Sequence, residues 1–101
     1  MKVIVDLTIV PIGVGVSLSK YVAVCERILT GAGLTCQLHA NGTNVEGEWE
    51  QVFDSIKRCH EELHAMGVPR ISTNIRLGTR VDRPDQTMED KIRSVRDKMV
   101  P

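Results

Sequence analysis

The sequence is poor in aromatic residues and has no excess of charge of either sign. One Trp, one Tyr and one Phe occur among 101 residues, and 13 basic residues balance 13 acidic ones. A nucleic-acid-binding surface needs clustered positive charge to displace counterions, and single-strand binding also needs aromatic rings on which bases stack. The composition therefore argues against a nucleic-acid partner.

Cysteines and long apolar runs are also scarce. Cys25, Cys36 and Cys59 are odd in number and show no CxxC spacing, which favours reduced thiols in a cytoplasmic protein. No stretch approaches the roughly 20 apolar residues that span a bilayer, and Asp6 and Pro11 interrupt the apolar N-terminal segment. We therefore expect a cytoplasmic location and no membrane partner. A chain of this length predicts a single domain over residues 1–101.

The hydrophobic pattern predicts alternating strands and helices. Apolar residues recur with strand or helix periodicity in seven segments: 2–10, 18–30, 35–39, 43–46, 49–66, 70–81 and 88–99. Ser17 is predicted as the N-cap of the first helix, residues 18–30. The order β-α-β-β-α-β-α predicts an α+β, ferredoxin-like sandwich with an extra C-terminal helix. The thin apolar stripe of that last helix is typical of an oligomer contact.

The hairpin between the second and third strands is the most distinctive local signal. Asn41-Gly42 predicts a type I′ turn, in which both central residues have φ > 0. Strand alternation then predicts one sheet face lined by polar side chains, on which Asp6 would pair with Arg76. This face is interpreted either as a solvated surface or as a site that orients a small polar heterocycle.

His60-Glu61-Glu62-Leu63-His64 matches the HExxH pattern of zinc enzymes. No third ligand follows it, because the later chain contains neither His nor Cys, and His60 lies at the edge of an apolar stripe. We therefore predict no metal site, with incidental metal affinity as an open alternative. No cysteine or serine lies in a nucleophile motif, so no catalytic residue and no cofactor is predicted.

Four segments resemble the small thiamine-binding protein family of the YkoF-like superfamily, in the family's order and spacing: Val10-Pro11-Ile12-Gly13, Ser17-x-Ser19-x-Tyr21-Val22, Gly42-Thr43-x-x-Glu46-Gly47 and Lys91-Ile92-x-x-Val95. The segment at 76–80 is closer to the eukaryotic, fungal-type branch. The resemblance implies a ferredoxin-like fold and a homotetramer, a dimer of dimers joined through sheets and the final helix. It also implies non-enzymatic binding of thiamine or its hydroxymethylpyrimidine moiety.

The resemblance and the polar face together define the candidate ligand-binding residues. Glu46 is expected to bind an aminopyrimidine edge or to offset the thiazolium charge, and the other candidates to supply amide, hydroxyl, guanidinium and aromatic contacts. The full set is Ser19, Tyr21, Thr43, Asn44, Glu46, Trp49, Asn74 and Arg76. The alternatives are an oligomeric interaction or scaffold protein without a ligand and, less favoured, an HExxH zinc enzyme.

Overall fold

A computed structural model describes residues 1–101, which form one four-stranded antiparallel sheet and three helices. The elements follow the predicted order, which confirms the ferredoxin-like arrangement with its additional C-terminal helix. Their bounds are β1 (Lys2–Ile12), α1 (Ser19–Gly31), β2 (Thr35–His39), β3 (Gly42–Glu48), α2 (Trp49–Ala65), β4 (Arg70–Gly78) and α3 (Met88–Met99).

The strands lie in the order β2-β3-β1-β4. Asp6 of β1 lies opposite Asn44 of β3 on one side and Arg76 of β4 on the other, and Gln37 of β2 lies opposite Asn44. Because successive side chains of a strand point to opposite faces, residues paired in this way share a face. We call this the outer face, and it carries the predicted polar set: Asp6, Thr8, Gln37, His39, Asn44, Glu46, Ser72, Asn74 and Arg76.

The hydrophobic core lies between the other face of the sheet and helices α1 and α2. It is one cluster of 13 buried residues, to which β1 contributes Val3, Val5 and Leu7. Leu29 of α1 and Leu63 of α2 are each 1% exposed or less. Burying an aliphatic side chain of this size contributes about 1.5–3 kcal/mol, so this layer holds the two helices on the sheet and fixes the position of α1.

The predicted start of α1 is wrong by one residue, and Ser17 does not cap it. The helix begins at Ser19, and the residue before it, Leu18, makes no side-chain capping bond. The Leu18 carbonyl instead accepts bonds from the N–H groups of Tyr21 and Val22. Ser19 therefore stands at the exposed N-terminal end of the helix.

The hairpin turn also differs from the prediction. Its two-residue loop is Ala40-Asn41, because His39 pairs with Gly42, and Gly42 does not have positive φ. A Cβ at Gly42 would lie 2.7 Å from the carbonyl oxygen of Leu7. The position thus needs glycine because the backbone of β1 passes so close, and the strand alternation on both arms is unchanged.

The last strand and helix meet on the outer face. β4 ends at Gly78, three residues earlier than predicted, and α3 begins after Thr87 with a capping box. The Thr87 hydroxyl accepts a bond from the Asp90 N–H, and the Asp90 carboxylate accepts one from the Thr87 N–H, both at 3.1 Å. Such a cap contributes about 1 kcal/mol. Met88 of α3 is buried against the outer face, apart from the main core.

Candidate functional site

The structure has a groove on the core side of the sheet, with α1 as one wall and β1 with the β2–β3 turn as the other. Its volume is about 540 Å³, and most of its lining is aliphatic. Its polar lining residues include Ser19 and Glu26 of α1 and Thr43 of β3. An apolar cavity of this size with a few convergent polar groups has the usual form of a small-molecule site. We call it the α1 groove.

Glu26 and Thr43 meet inside the α1 groove. Thr43 alternates with Asn44 along β3, so its side chain points to the core side, where it is 5% exposed. Its hydroxyl donates a short hydrogen bond to Oε1 of Glu26. No Lys, Arg or His side chain forms an ion pair with Glu26. The groove therefore contains a partly buried carboxylate beside a hydroxyl, with no cation to balance it.

Side-chain bonds hold the hairpin turn at the mouth of the groove. The His39 ring accepts a bond from the Asn41 N–H at Nδ1 (3.3 Å), so Nε2 carries the proton and donates to Asp6 Oδ1 at 3.0 Å. The Thr8 hydroxyl donates to the Asn41 carbonyl at 3.0 Å. The predicted ion pair of Asp6 with Arg76 is therefore wrong. The two residues are register partners, but the carboxylate bonds to His39.

Two thiols pack where α1 meets α2, and one of them lines the groove. Cys25 lines it, and the thiol of Cys59 lies 3.8 Å from the Cys25 carbonyl oxygen. A hydrogen bond from the Cys59 thiol lowers the pKa of Cys25, and the same bond together with burial raises the pKa of Cys59. Burial also raises the pKa of Cys36. All three cysteines are free thiols.

The outer face carries two further hollows, separated by Met88 and Ile92 of α3. One has a volume of about 540 Å³, lies over β2 and β3, and contains Glu46; we call it the α3 hollow. The other has a volume of about 460 Å³, lies toward β4, and is lined by Asn44 and Arg76. The polar face is thus partly roofed by a helix and is not a uniformly solvated surface.

The structure divides the predicted site residues between the two faces of the sheet. Ser19 and Thr43 line the α1 groove, whereas Asn44, Glu46 and Arg76 line the outer hollows. A single small ligand cannot touch both sets, because the sheet lies between them. The predicted set therefore does not form one site.

The remaining predicted residues line none of these three spaces. Tyr21 is buried in the core, and Trp49 packs on Phe53 with ring centroids 5.0 Å apart. Asn74 is exposed on β4 and is separated from Asn44 by the whole width of β1. Two strand spacings amount to about 10 Å, so the amides of Asn44 and Asn74, both predicted to contact the ligand, do not converge on one heterocycle.

Glu26 is the groove residue that sequence reasoning missed. A signal was present, because Glu26 follows Val22 by four residues and precedes Leu29 by three, on the apolar side of α1. Because no Lys or Arg lies three or four residues away, an ion pair within the helix does not explain a carboxylate at such a position, and the pattern indicates another role for it.

The HExxH histidines make bonds within the protein. His60 Nε2 lies 2.6 Å from the Thr73 hydroxyl, and His64 Nδ1 lies 2.8 Å from the Val68 carbonyl. The two rings are 6.3 Å apart. These contacts join α2 to β4 and to the loop before it, which gives both histidines a structural role.

No helix in the structure has the length and apolar character that crossing a bilayer requires.

Comparison with known proteins identifies the family. The model of the family described as thiamine-binding protein matches residues 5–96. The chain belongs to the thiamine-binding protein family. This confirms the resemblance seen in the sequence motifs. A UPF0045 protein of Synechocystis is 57% identical over 94% of this chain and 78% of its own length. A fungal UPF0045 protein, from Eremothecium gossypii, is 38% identical over 98% of this chain and 94% of its own.

Solved structures support the same fold. A protein of Methanocaldococcus jannaschii matches with a TM-score of 0.86 and 27% identity, over 95% of this chain and 97% of its own. A Thermotoga maritima protein, whose description proposes a role in thiamine biosynthesis or salvage, matches with a TM-score of 0.79 and 21% identity, over 94% and 99%. At that identity the second match concerns the fold alone.

Proposed function

We propose that this member of the thiamine-binding protein family binds thiamine or its hydroxymethylpyrimidine moiety, without converting it, and that the pyrimidine lies in the α1 groove. The observation that carries the proposal is the contact between Glu26 and Thr43 inside a mostly aliphatic groove. This proposal revises the expectation that Glu46 binds the ligand, because Glu46 lies on the other face of the sheet.

The chemistry of the pair matches an aminopyrimidine. Such a ring presents an N–H donor of its amino group next to a ring nitrogen that accepts. Glu26 can accept the N–H, while the Thr43 hydroxyl turns to donate to the ring nitrogen. Hydrogen bonds to a charged group contribute about 1.5–3 kcal/mol each, so one carboxylate in an apolar groove has a large share in selecting the ligand. The uncompensated charge of Glu26 also favours the positive thiazolium of thiamine.

We propose further that the protein is a homotetramer, a dimer of dimers, that acts in the cytoplasm. Support for self-association comes from α3, on which Val95 is 61% and Met99 is 74% exposed although both lie on its apolar stripe. Support for the compartment comes from the three free thiols. The same stripe favours the second candidate function, an assembly protein without a ligand.

Isothermal titration calorimetry with thiamine and with free hydroxymethylpyrimidine tests the binding proposal. We expect binding by the native protein and a loss of affinity of about tenfold or more in Glu26→Gln and in Thr43→Val, each of which removes one polar partner at nearly constant volume. Arg76→Gln on the outer face is the matched control. Unchanged affinity in both groove variants, with loss in Arg76→Gln, would move the site to the outer face.

Two outcomes would favour the alternatives. No heat from either compound at millimolar concentration, with an intact oligomer by light scattering, would favour the assembly role. Conversion of either compound to a new product, followed by chromatography, would make the protein an enzyme and refute the non-enzymatic proposal.

A further inference from the structure

The α3 hollow is a second space that the proposed thiamine site does not use. It lies between α3 and the outer face of β2 and β3, and it shares no lining residue with the α1 groove. Its volume of about 540 Å³ falls within the range of small-molecule sites. Met88 and Ile92 provide one apolar wall, and most of its other lining is polar or charged.

Glu46 is the unusual group in this hollow. The residue is only 8% exposed, and its Oε2 atom is buried with no hydrogen-bond donor. The Lys2 ammonium lies 3.2 Å from Oε2, outside hydrogen-bond geometry, so it balances the charge without supplying the bond. A buried carboxylate that accepts no hydrogen bond loses its hydration without replacement. A donor entering the hollow would provide what the protein does not.

The helix side of the hollow carries the opposite charge. Arg96 lines the hollow and forms no ion pair, whereas Arg93 is already shared between Glu89 (3.5 Å) and Asp90 (3.7 Å). On the strand side, Gln37 accepts a bond from Asn44 through its oxygen, which leaves its amide N–H groups free to donate.

We propose that the α3 hollow binds a small zwitterion of the amino-acid class, with its ammonium group on Glu46 and its carboxylate on Arg96. A simple cation would leave Arg96 without an ion-pair partner, and a simple anion would leave Glu46 Oε2 without a hydrogen-bond donor. An apolar molecule would leave Glu46 without a donor. A ligand with both charges supplies the donor that Glu46 Oε2 lacks and pairs with Arg96, which has no ion-pair partner.

Amide NMR spectra of the ¹⁵N-labelled native protein test this with a series of probes. Glycine, β-alanine, γ-aminobutyrate and ε-aminocaproate carry the same two charges at increasing separation. We expect at least one of them to shift the amides of Thr35, Gln37 and Glu46 and of the first turns of α3. For γ-aminobutyrate the half-probes are propylamine and butyrate, each of which lacks one charge and should bind about tenfold more weakly or worse.

Variants then assign the contacts. Glu46→Gln and Arg96→Gln should each lower the affinity for the tightest-binding zwitterion of the series by about tenfold. Glu61→Gln, which removes an exposed charge on α2, should leave that affinity unchanged. The comparison of half-probes needs no variant, and Arg96 is exposed, so the test holds even if Glu46→Gln fails to fold.

Three results would overturn the proposal: no shifts from any member of the series at about 10 mM, equal binding of propylamine or butyrate, or shifts confined to Ser19 and Thr43. The last result would place the probe in the α1 groove. Because the thiamine test reports on that groove and this one on the opposite face, either proposal can fail while the other holds.

Discussion

Gly42 provides the sharpest test of how the hairpin is built, because two explanations for this glycine predict different mutant behaviour. A type I′ turn would need glycine for its positive φ, but Gly42 is not among the residues with positive φ. A Cβ there would lie 2.7 Å from the Leu7 carbonyl oxygen and 2.9 Å from the Thr8 hydroxyl. The nearest atom belongs to a backbone at the centre of the sheet, which cannot rotate away. We therefore expect Gly42→Ala to destabilise the protein through overlap with β1.

The magnitude follows from two opposing effects. Overpacking costs about 1–3 kcal/mol, and replacing glycine returns about 0.4–1 kcal/mol by restricting the unfolded chain. Taking the middle of each range, the expected net loss is about 1.3 kcal/mol, which lowers the melting temperature of a chain this size by about 5–10 °C. Calorimetry or urea unfolding at fixed protein concentration measures it, since self-association would otherwise shift the transition.

Asparagine separates the two explanations. It adopts positive φ far more readily than alanine, so at a true left-handed position it restores stability relative to alanine. Gly33 is the matched control, because its φ is +81° and nothing lies within 4 Å of the Cβ position. We expect Gly33→Asn to be more stable than Gly33→Ala, and Gly42→Asn to be no better than Gly42→Ala. If Asn rescues Gly42 as it does Gly33, or if Gly42→Ala is neutral, the close-approach explanation is refuted.

Two further predictions concern polar contacts. The Thr87 N–H lowers the pKa of Asp90 below its usual 3.8, so the cap stabilises α3 above that value and loses its effect as the pH falls through the lower folded-state pKa. The protection factors of the α3 amides, which correct for the intrinsic pH dependence of exchange, should fall over this acid range in the native protein but not in Asp90→Asn. In double-mutant cycles, Asp6→Asn should couple with His39→Gln by a few tenths of a kcal/mol and be additive with Arg76→Gln. Coupling to Arg76 instead would contradict the observed bond.

The order of elements and the polar face were predictable because they depend on the spacing of apolar and polar residues, which is visible in the sequence itself. Strand alternation set Asn44 on one face and Val45 on the other whatever the turn type. The turn itself was mispredicted because Asn-Gly has two uses. It can supply positive φ, or the glycine can let another strand pass close by. Only the neighbouring strand distinguishes them, and Leu7 of β1 lies 35 residues earlier in the sequence than Gly42.

The candidate site was less predictable for a related reason. Thr43 and Glu46 stand three residues apart in one motif, which suggested a single site. Residues three apart on a strand point to opposite faces, so the motif was bound to divide once the strand was accepted. Glu26 was overlooked because it lies on a helix and outside the motifs, and its closeness to Thr43 arises from the packing of α1 over β3.

The division of that motif gives β3 a role on both faces of the sheet. Thr43 contributes a hydroxyl to the α1 groove and Glu46 a carboxylate to the α3 hollow, and Val45 between them is fully buried. A shift of β3 by one residue would exchange the faces, moving Glu46 into the core and Thr43 onto the outer side. Pairing with β1 and β2 on its two sides opposes such a slip, and the close passage of β1 at Gly42 holds one end of the strand. The tight contact at Gly42 is therefore also what keeps each polar group in its own site.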